Sequence, residues 1–426
     1  MKRSIGLILR IVIAAAGLTF IALSVTWTDS VVAPAGFVLT APDGATVTLD
    51  KPRTLPVVAQ TPESVTVQFK DAPPGTSGES EHWTIRRSQL ASGGQETSGT
   101  HLPGAELPGA GAVFHPGVVT MLAAANWWML LAGLVFTGIV MPMQAYRWLI
   151  LMRCRGMTVG FFKAFKLSLV GLFFNFCMPG STGGDVIKAY YAAKGSGEKP
   201  TAVMSVVFDR IVGLVSLLII AVIAGGLLLV DVQAPAEMKE VVLWLWAAMA
   251  GLTLCSALYF SRGARRRLGI DKLLARWDES SMIRRVDAAA HAYRHHPAAL
   301  FAALGMAALS QVFLVAAGIA AGWALGMQHA VATLALALPV LLIAGSVPLT
   351  YQGLGVMEGL GLLLLEQAGL ATDNQVVGML LLLRLFQVFY GLAGSVFMLS
   401  GDIHLHPQEP APPSTAATSA AAAAAG

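Results

Sequence analysis

Seven stretches of this chain run for about the length of a bilayer crossing with no charged residue: Ile11–Thr28, Val118–Tyr146, Ile211–Val230, Val241–Ser261, Pro297–Gln328, Ala330–Val347 and Leu385–Gly401. A hydrocarbon layer about 30 Å thick is crossed by ~20 helical residues rising about 1.5 Å each. Inside that layer no water satisfies the backbone, so such runs fold as helices rather than as open strands. The chain is 55% hydrophobic and 12% charged, with a mean hydropathy of +0.67. A soluble domain carries about 25% charged residues. The fold class is therefore an all-α polytopic integral membrane protein, a helical bundle.

Two of the apolar regions are interrupted in matched fashion, at Pro179-Gly180-Ser181-Thr182-Gly183-Gly184-Asp185 and at Pro348-Leu349-Thr350-Tyr351-Gln352-Gly353-Leu354-Gly355-Val356-Met357-Glu358. Each has a proline, then glycines, then a carboxylate. Arg210 follows Asp185 by 25 residues and Arg384 follows Glu358 by 26, each within an apolar helix. Broken helices with ionisable groups at bilayer depth are tolerated where protein or a wet cavity surrounds them, which is the form of a transport site. Unpaired near a helix centre, Asp185, Asp209, Arg210, Glu358 and Arg384 would each cost about 2.5–3.5 kcal/mol, so pairing, burial in a wet cavity or placement nearer an interface is required.

Residues 1–28 read as a first transmembrane helix behind Lys2 and Arg3; a cleaved signal peptide is the alternative, but no small-residue cleavage pattern follows. Residues 29–117 differ in kind. Short alternating runs at Ala45–Leu49, Ser64–Phe69 and His82–Arg86 predict strands of a small β-rich insert, and Ser92–Gly117 reads as a Gly/Pro linker. The insert has five bases against nine acids, which places it outside the cytoplasm. The loop 262–296 has nine bases against four acids and belongs inside, either as an amphipathic surface helix or as a solvated loop. His291, His295 and His296 there lack matching acid or cysteine ligands and read as surface residues. Cys154, Cys177 and Cys255 lie in or beside helices and suggest no disulfide framework. Residues 402–426 are a Pro/Ala-rich tail, expected to be disordered.

Charge bias also constrains the interruptions. With Lys2, Arg3 and Arg10 inside, the second span returns to Arg147, Arg153, Arg155, Lys163 and Lys166 on the cytoplasmic side. A full crossing by Phe161–Met178 would put Lys188, Lys194, Lys199 and then the basic loop outside. A re-entrant hairpin turning at Pro179–Gly184 keeps every basic segment inside. The same counting makes Ala330–Val347 and Val356–Leu370 a second hairpin, entering from the opposite side, so the two opposed re-entrant hairpins have the form of an inverted repeat. The alternative is two ordinary kinked spans.

The chemistry at the first break follows from residue type. Gly183 and Gly184 let backbone N–H groups approach a ligand, and the helix starting near Asp185 turns its positive dipole end to the cavity. Lys188, three residues on, suits a phosphate; Asp185 either orients it, binds a hydroxyl or amine of the headgroup, or is a plain helix cap paired with Lys188. Asp209 and Arg210 are neighbours that point apart, so Asp185 with Arg210 and Glu358 with Arg384 are the expected pairs. Tyr190, Tyr191, Tyr351 and Gln352 either bond a headgroup or anchor at the interface. No nucleophile–base pair, metal-ligand spacing or phosphate-cradling loop is present in the sequence, so no catalytic residue, cofactor or metal is expected.

The motif Pro179-Gly180-x-x-Gly183-Gly184-Asp185-x-x-Lys188-x-Tyr190, the Asp209-Arg210 pair, and Pro348-Leu349-Thr350-x-x-Gly353-Leu354-Gly355-Val356-x-Glu358 with Arg384 resemble the transmembrane flippase-like domain of lysylphosphatidylglycerol synthases. The likeness covers about Val118–Ser400 and the first helix. It implies movement of lipids or lipid-linked headgroups between leaflets of a bacterial cytoplasmic membrane. Lys188 stands where the family often has arginine, Tyr351-Gln352 replaces a commoner small pair, and the soluble synthase domain is absent. The expected function is thus a phospholipid or polyprenyl-linked lipid translocase that is not itself an enzyme. Gly183, Gly184, Asp185, Lys188, Tyr190, Asp209, Arg210, Gly353, Gly355, Glu358 and Arg384 line its anion-binding cavity, both termini are cytoplasmic, and a lipid-synthesising enzyme is a possible partner. An integral-membrane transferase acting on a lipid carrier, and a scaffold or sensor using the β-insert, are the alternatives. Residues 118–401 form the expected flippase-like domain.

Overall fold

The computed structural model describes residues 28–40, 46–69, 82–90, 112–115, 117–177, 183–196, 199–230, 236–261, 263, 267, 281–327, 331–346, 350–366 and 371–399. The expected first helix, residues 262, 264–266 and 268–280 of the basic loop, and the C-terminal tail lie outside the described residues.

Among the described residues seven strands make one antiparallel sheet: β1 (Ser30–Ala33), β2 (Val38–Thr40), β3 (Thr46–Thr48), β4 (Arg53–Gln60), β5 (Ser64–Gln68), β6 (His82–Arg86) and β7 (Val113–His115), in the order β3-β2-β6-β5-β4-β1-β7. Alternation drives it. Val65 and Val67 on β5 and Trp83 and Ile85 on β6 are buried while their neighbours are not, and Leu39, Val47 and Leu55 join the same core. Sequence patterning located β3, β5 and β6. It missed β4, whose Pro56 argues against a strand but here sits opposite Ser30 of β1. The expected linker Ser92–Gly117 needs correction at its end, because Val113–His115 pairs with β1 instead of running free. That pairing, with Asp29 Oδ1 accepting from the Gly117 N–H at 2.7 Å, brings the two ends of the insert together.

Eleven α-helices follow among the described residues: α1 (Val118–Ala123), α2 (Trp127–Arg153), α3 (Phe161–Cys177), α4 (Gly183–Ser196), α5 (Lys199–Val230), α6 (Ala236–Phe260), α7 (Met282–Arg294), α8 (Pro297–Ala324), α9 (Val331–Ser346), α10 (Val356–Gly361) and α11 (Asp373–Leu399). Five of them, α2, α5, α6, α8 and α11, are long and apolar enough to cross a membrane. The chain is a polytopic membrane protein. Asn126 caps α2, accepting from the Trp128 N–H, and Pro at N1 opens α8.

Helices in lipid approach closely where side chains are small, because no hydrophobic force separates protein from acyl chains. A Cβ on Gly394 of α11 would stand 2.2 Å from the Leu169 carbonyl oxygen of α3, and one on Gly318 of α8 would stand 2.6 Å from Leu338 of α9. The contacts are reciprocal between the two halves. α3 packs along α11 and α9 packs along α5, so the helix leading into each break lies on the arginine-bearing helix of the other half.

Candidate functional site

At the first break α3 and α4 fold back on each other. The Gly184 N–H donates to Asn175 Oδ1 at 2.8 Å, and Gly184 lies so close to Gly171 that a Cβ there would sit 1.8 Å from the Gly171 carbonyl oxygen. Glycine is required by contact rather than by torsion. Gly183 opens the helix, and Asp185 falls in its first turn, where the positive dipole end favours a carboxylate. Arg210 Nε of α5 donates to Asp185 Oδ2. The expected pair is made, and the local Asp185–Lys188 alternative is not, since the Lys188 ammonium lies over the Trp148 ring, 4.7 Å from its centroid. Tyr190 is exposed and stands edge-on to the buried Tyr191 ring.

Asp209 has a partner that sequence reasoning placed elsewhere. Arg147, expected as a base at the cytoplasmic end of its span, is buried within α2, and its Nε donates to Asp209 Oδ1 at 2.7 Å; the two side chains are 7% and 8% exposed. Trp148, next to it, donates from its indole N–H to Ser205 Oγ at 3.2 Å. These bonds fasten α2 to α5. Lys188 and Arg210 also lie within electrostatic range of Asp209, so Arg147, Lys188 and Arg210 all act on Asp209, while Arg210 is the one that bonds Asp185. Counted among these five, the first site keeps one positive charge in excess, which is the balance an anion would neutralise.

The second break repeats the pattern with tighter burial. The backbone turns through Gln352 at φ 52°, Gly353 at φ 69° and Gly355 at φ 81° before α10 begins. Glycine takes left-handed torsions without penalty; Gln352 is the exception that bears the cost. Glu358, 1% exposed, accepts the Gly355 N–H at 2.8 Å with one oxygen and Arg384 Nη1 with the other. Arg384 Nη2 reaches Met357 Sδ at 3.7 Å, a weak acceptor, and Arg384 Nε is buried with no partner among the described residues.

One bond joins the two breaks. The Gln352 side-chain amide donates to the Asn175 carbonyl oxygen at 2.7 Å, while the Asn175 side chain holds Gly184. Asn175 thus touches both interruptions, and it was not singled out from sequence. The available signal was an amide in the uncharged run 167–178, where a polar group needs a reason to be present.

A family model decides what kind of membrane protein carries these paired breaks: residues 117–394 match the lysylphosphatidylglycerol synthase TM region. The chain belongs to that family. The match starts one residue before α1 and ends inside α11, so it takes in both breaks, both carboxylate–arginine pairs and the buried Arg147–Asp209 bond, and leaves the sheet outside. No curated protein matches the chain. Membership in the lysylphosphatidylglycerol synthase TM region family supports a lipid-related function in the bilayer.

Proposed function

We propose that this protein is a lipid translocase, and that it binds an anionic headgroup between its two helix breaks and passes it between leaflets. The observation that carries the reading is the twofold recurrence of one device. Each break ends in a carboxylate held by an arginine 25 or 26 residues later, and the two breaks are bonded to each other through Asn175 and Gln352. Charged groups within apolar helices are costly and mark substrate paths by default. The excess cation of the first site supplies the attraction for a phosphate. The exchangeable pairs Asp185–Arg210 and Glu358–Arg384 can release an arginine to the headgroup and recover it afterwards.

In this reading the two hairpins are re-entrant and opposed. α3 has 17 residues and α9 has 16, short of the ~20 that a crossing needs, and each packs against the helix that follows its break. The sheet stands outside, and the basic loop and both termini stand in the cytoplasm, as the charge bias requires. A cysteine at Gln352, in a background with the native cysteines replaced, should react slowly with a membrane-impermeant maleimide from either side of sealed vesicles. Rapid labelling from one bulk phase would exclude the re-entrant arrangement.

In reconstituted vesicles, Arg210→Ala and Arg384→Ala should each abolish leaflet exchange of a fluorescent phospholipid. Arg210 is the more telling site, because its side chain is 35% exposed and its loss leaves a smaller hole in the fold. Arg210→Ala that elutes and melts like the wild type yet exchanges lipid at the wild-type rate would sink the proposal.

A further inference from the structure

Three buried polar atoms on the helices and turn of the second break and on α8, Arg384 Nε, Thr350 Oγ1 and Gln311 Oε1, have no hydrogen-bond partner among the described residues. Thr350 and Gln311 are each 6% exposed. Gln311 belongs to α8, far away in sequence, and register brings it to the others. Gly318 of α8 abuts Leu338 of α9, and Leu314 packs in the same cluster as Leu342, so one step back on α8 matches one step forward on α9. That antiparallel register sets Gln311 level with Gly345. Gly345 is the point against which Gly353 and Met357 of the second break pack, and Met357 Sδ in turn takes the Arg384 Nη2 donor.

A buried donor or acceptor left unmade is unfavourable, and retained ones are explained by a ligand or a water that completes them. Here the set is specific in kind: a guanidinium N–H seeking an anion, and an amide oxygen seeking an N–H or O–H, with a hydroxyl able to serve either need. The geometry points to a headgroup-reading subsite in which Arg384 Nε takes a phosphodiester oxygen while Gln311 Oε1, assisted by Thr350, accepts from an amine or hydroxyl of the same headgroup. The inference rests on the lipid-translocase reading and narrows it. The ligand is a phosphodiester lipid whose headgroup ends in a hydroxyl or a primary ammonium, and a quaternary ammonium headgroup, with the phosphate but no N–H or O–H, is rejected. Gln311 is the residue that sets this specificity.

Phosphatidylethanolamine and phosphatidylcholine make the test, since they share the phosphate and the net charge and differ in N–H donors. Thermal stabilisation of the detergent-purified full chain should reach half its maximum at a phosphatidylethanolamine concentration about tenfold below that for phosphatidylcholine. Gln311→Met, similar in shape and lacking the acceptor, should shrink that preference to less than about threefold and leave phosphatidylcholine binding unchanged. Equal binding of the two lipids by the wild type, a full preference retained in Gln311→Met, or the same stabilisation by inorganic phosphate alone would overturn the assignment. If Gln311→Met does not fold, Thr350→Val together with the wild-type comparison decides it by the same criterion. Leaflet exchange in vesicles separates the two claims: binding preference without exchange keeps the subsite and removes the translocase, and exchange without preference does the reverse.

Discussion

Asp209→Ala should lower the stability of the protein by about 3–5 kcal/mol, read as a shift in detergent-denaturation midpoint followed by tryptophan fluorescence. The Arg147 side chain is 7% exposed, so removing the carboxylate that receives its Nε leaves a buried guanidinium without its counter-charge. The matching change at the first break, Asp185→Ala, should cost about 1 kcal/mol or less, because Arg210 is 35% exposed and can turn to water. Arg147→Leu combined with Asp209→Leu should recover most of the loss, since a buried ion pair replaced whole by apolar side chains is often neutral or better. A double variant no more stable than Asp209→Ala would show that the charge pair is not what Asp209 is for. The contrast sorts the charged residues by role: Arg147–Asp209 fixes α2 to α5, and Asp185–Arg210 is left accessible enough to work.

Gly184→Ala should be the most damaging glycine-to-alanine change among the described glycines. Its Cβ would lie 1.8 Å from the Gly171 carbonyl oxygen and 2.5 Å from the Gly171 carbonyl carbon, and both obstacles are backbone. No side chain can turn aside, and position 171 is already glycine, so trimming the neighbour is not available. The helices α3 and α4 must part, which breaks the Gly184 N–H bond to Asn175 and, through Asn175, loosens the bond to Gln352. A loss of about 3 kcal/mol or more is expected, with lipid exchange lost in whatever protein still folds. Gly251→Ala in α6 is the control, because nothing lies within 4 Å of the added carbon. It should be neutral or stabilising by up to about 1 kcal/mol. Equal melting of the two variants would contradict the close approach at the first break.

Much of this was legible before any coordinates. The charge-free runs gave the spanning helices because length and hydropathy are properties of the segment alone, and a backbone in lipid has few ways to satisfy itself. The two ion pairs of the breaks followed from a similar economy: with Asp209 pointing away from its neighbour Arg210, the two arginines at nearly equal spacing behind Asp185 and Glu358 have few other ways to be paired. Strands β5 and β6 were readable because Val65, Val67, Trp83 and Ile85 alternate with polar neighbours. β7 was not, since Val113–His115 is three residues beside a glycine-rich stretch, and its reason for being a strand is β1.

What the chain by itself determined is therefore each segment's character: which parts enter the membrane, where their helices must break, and which ionisable groups are too expensive to leave alone. Only the tertiary structure decided who meets whom across the fold. It drew Arg147 inward to Asp209, laid Lys188 over Trp148, made Asn175 the hinge point between the two breaks, and set α3 on α11 and α9 on α5. The physical reason is that hydropathy is summed along a segment, whereas a buried charge is stabilised by one atom at hydrogen-bond distance, and that atom is supplied by a helix whose position no local pattern encodes.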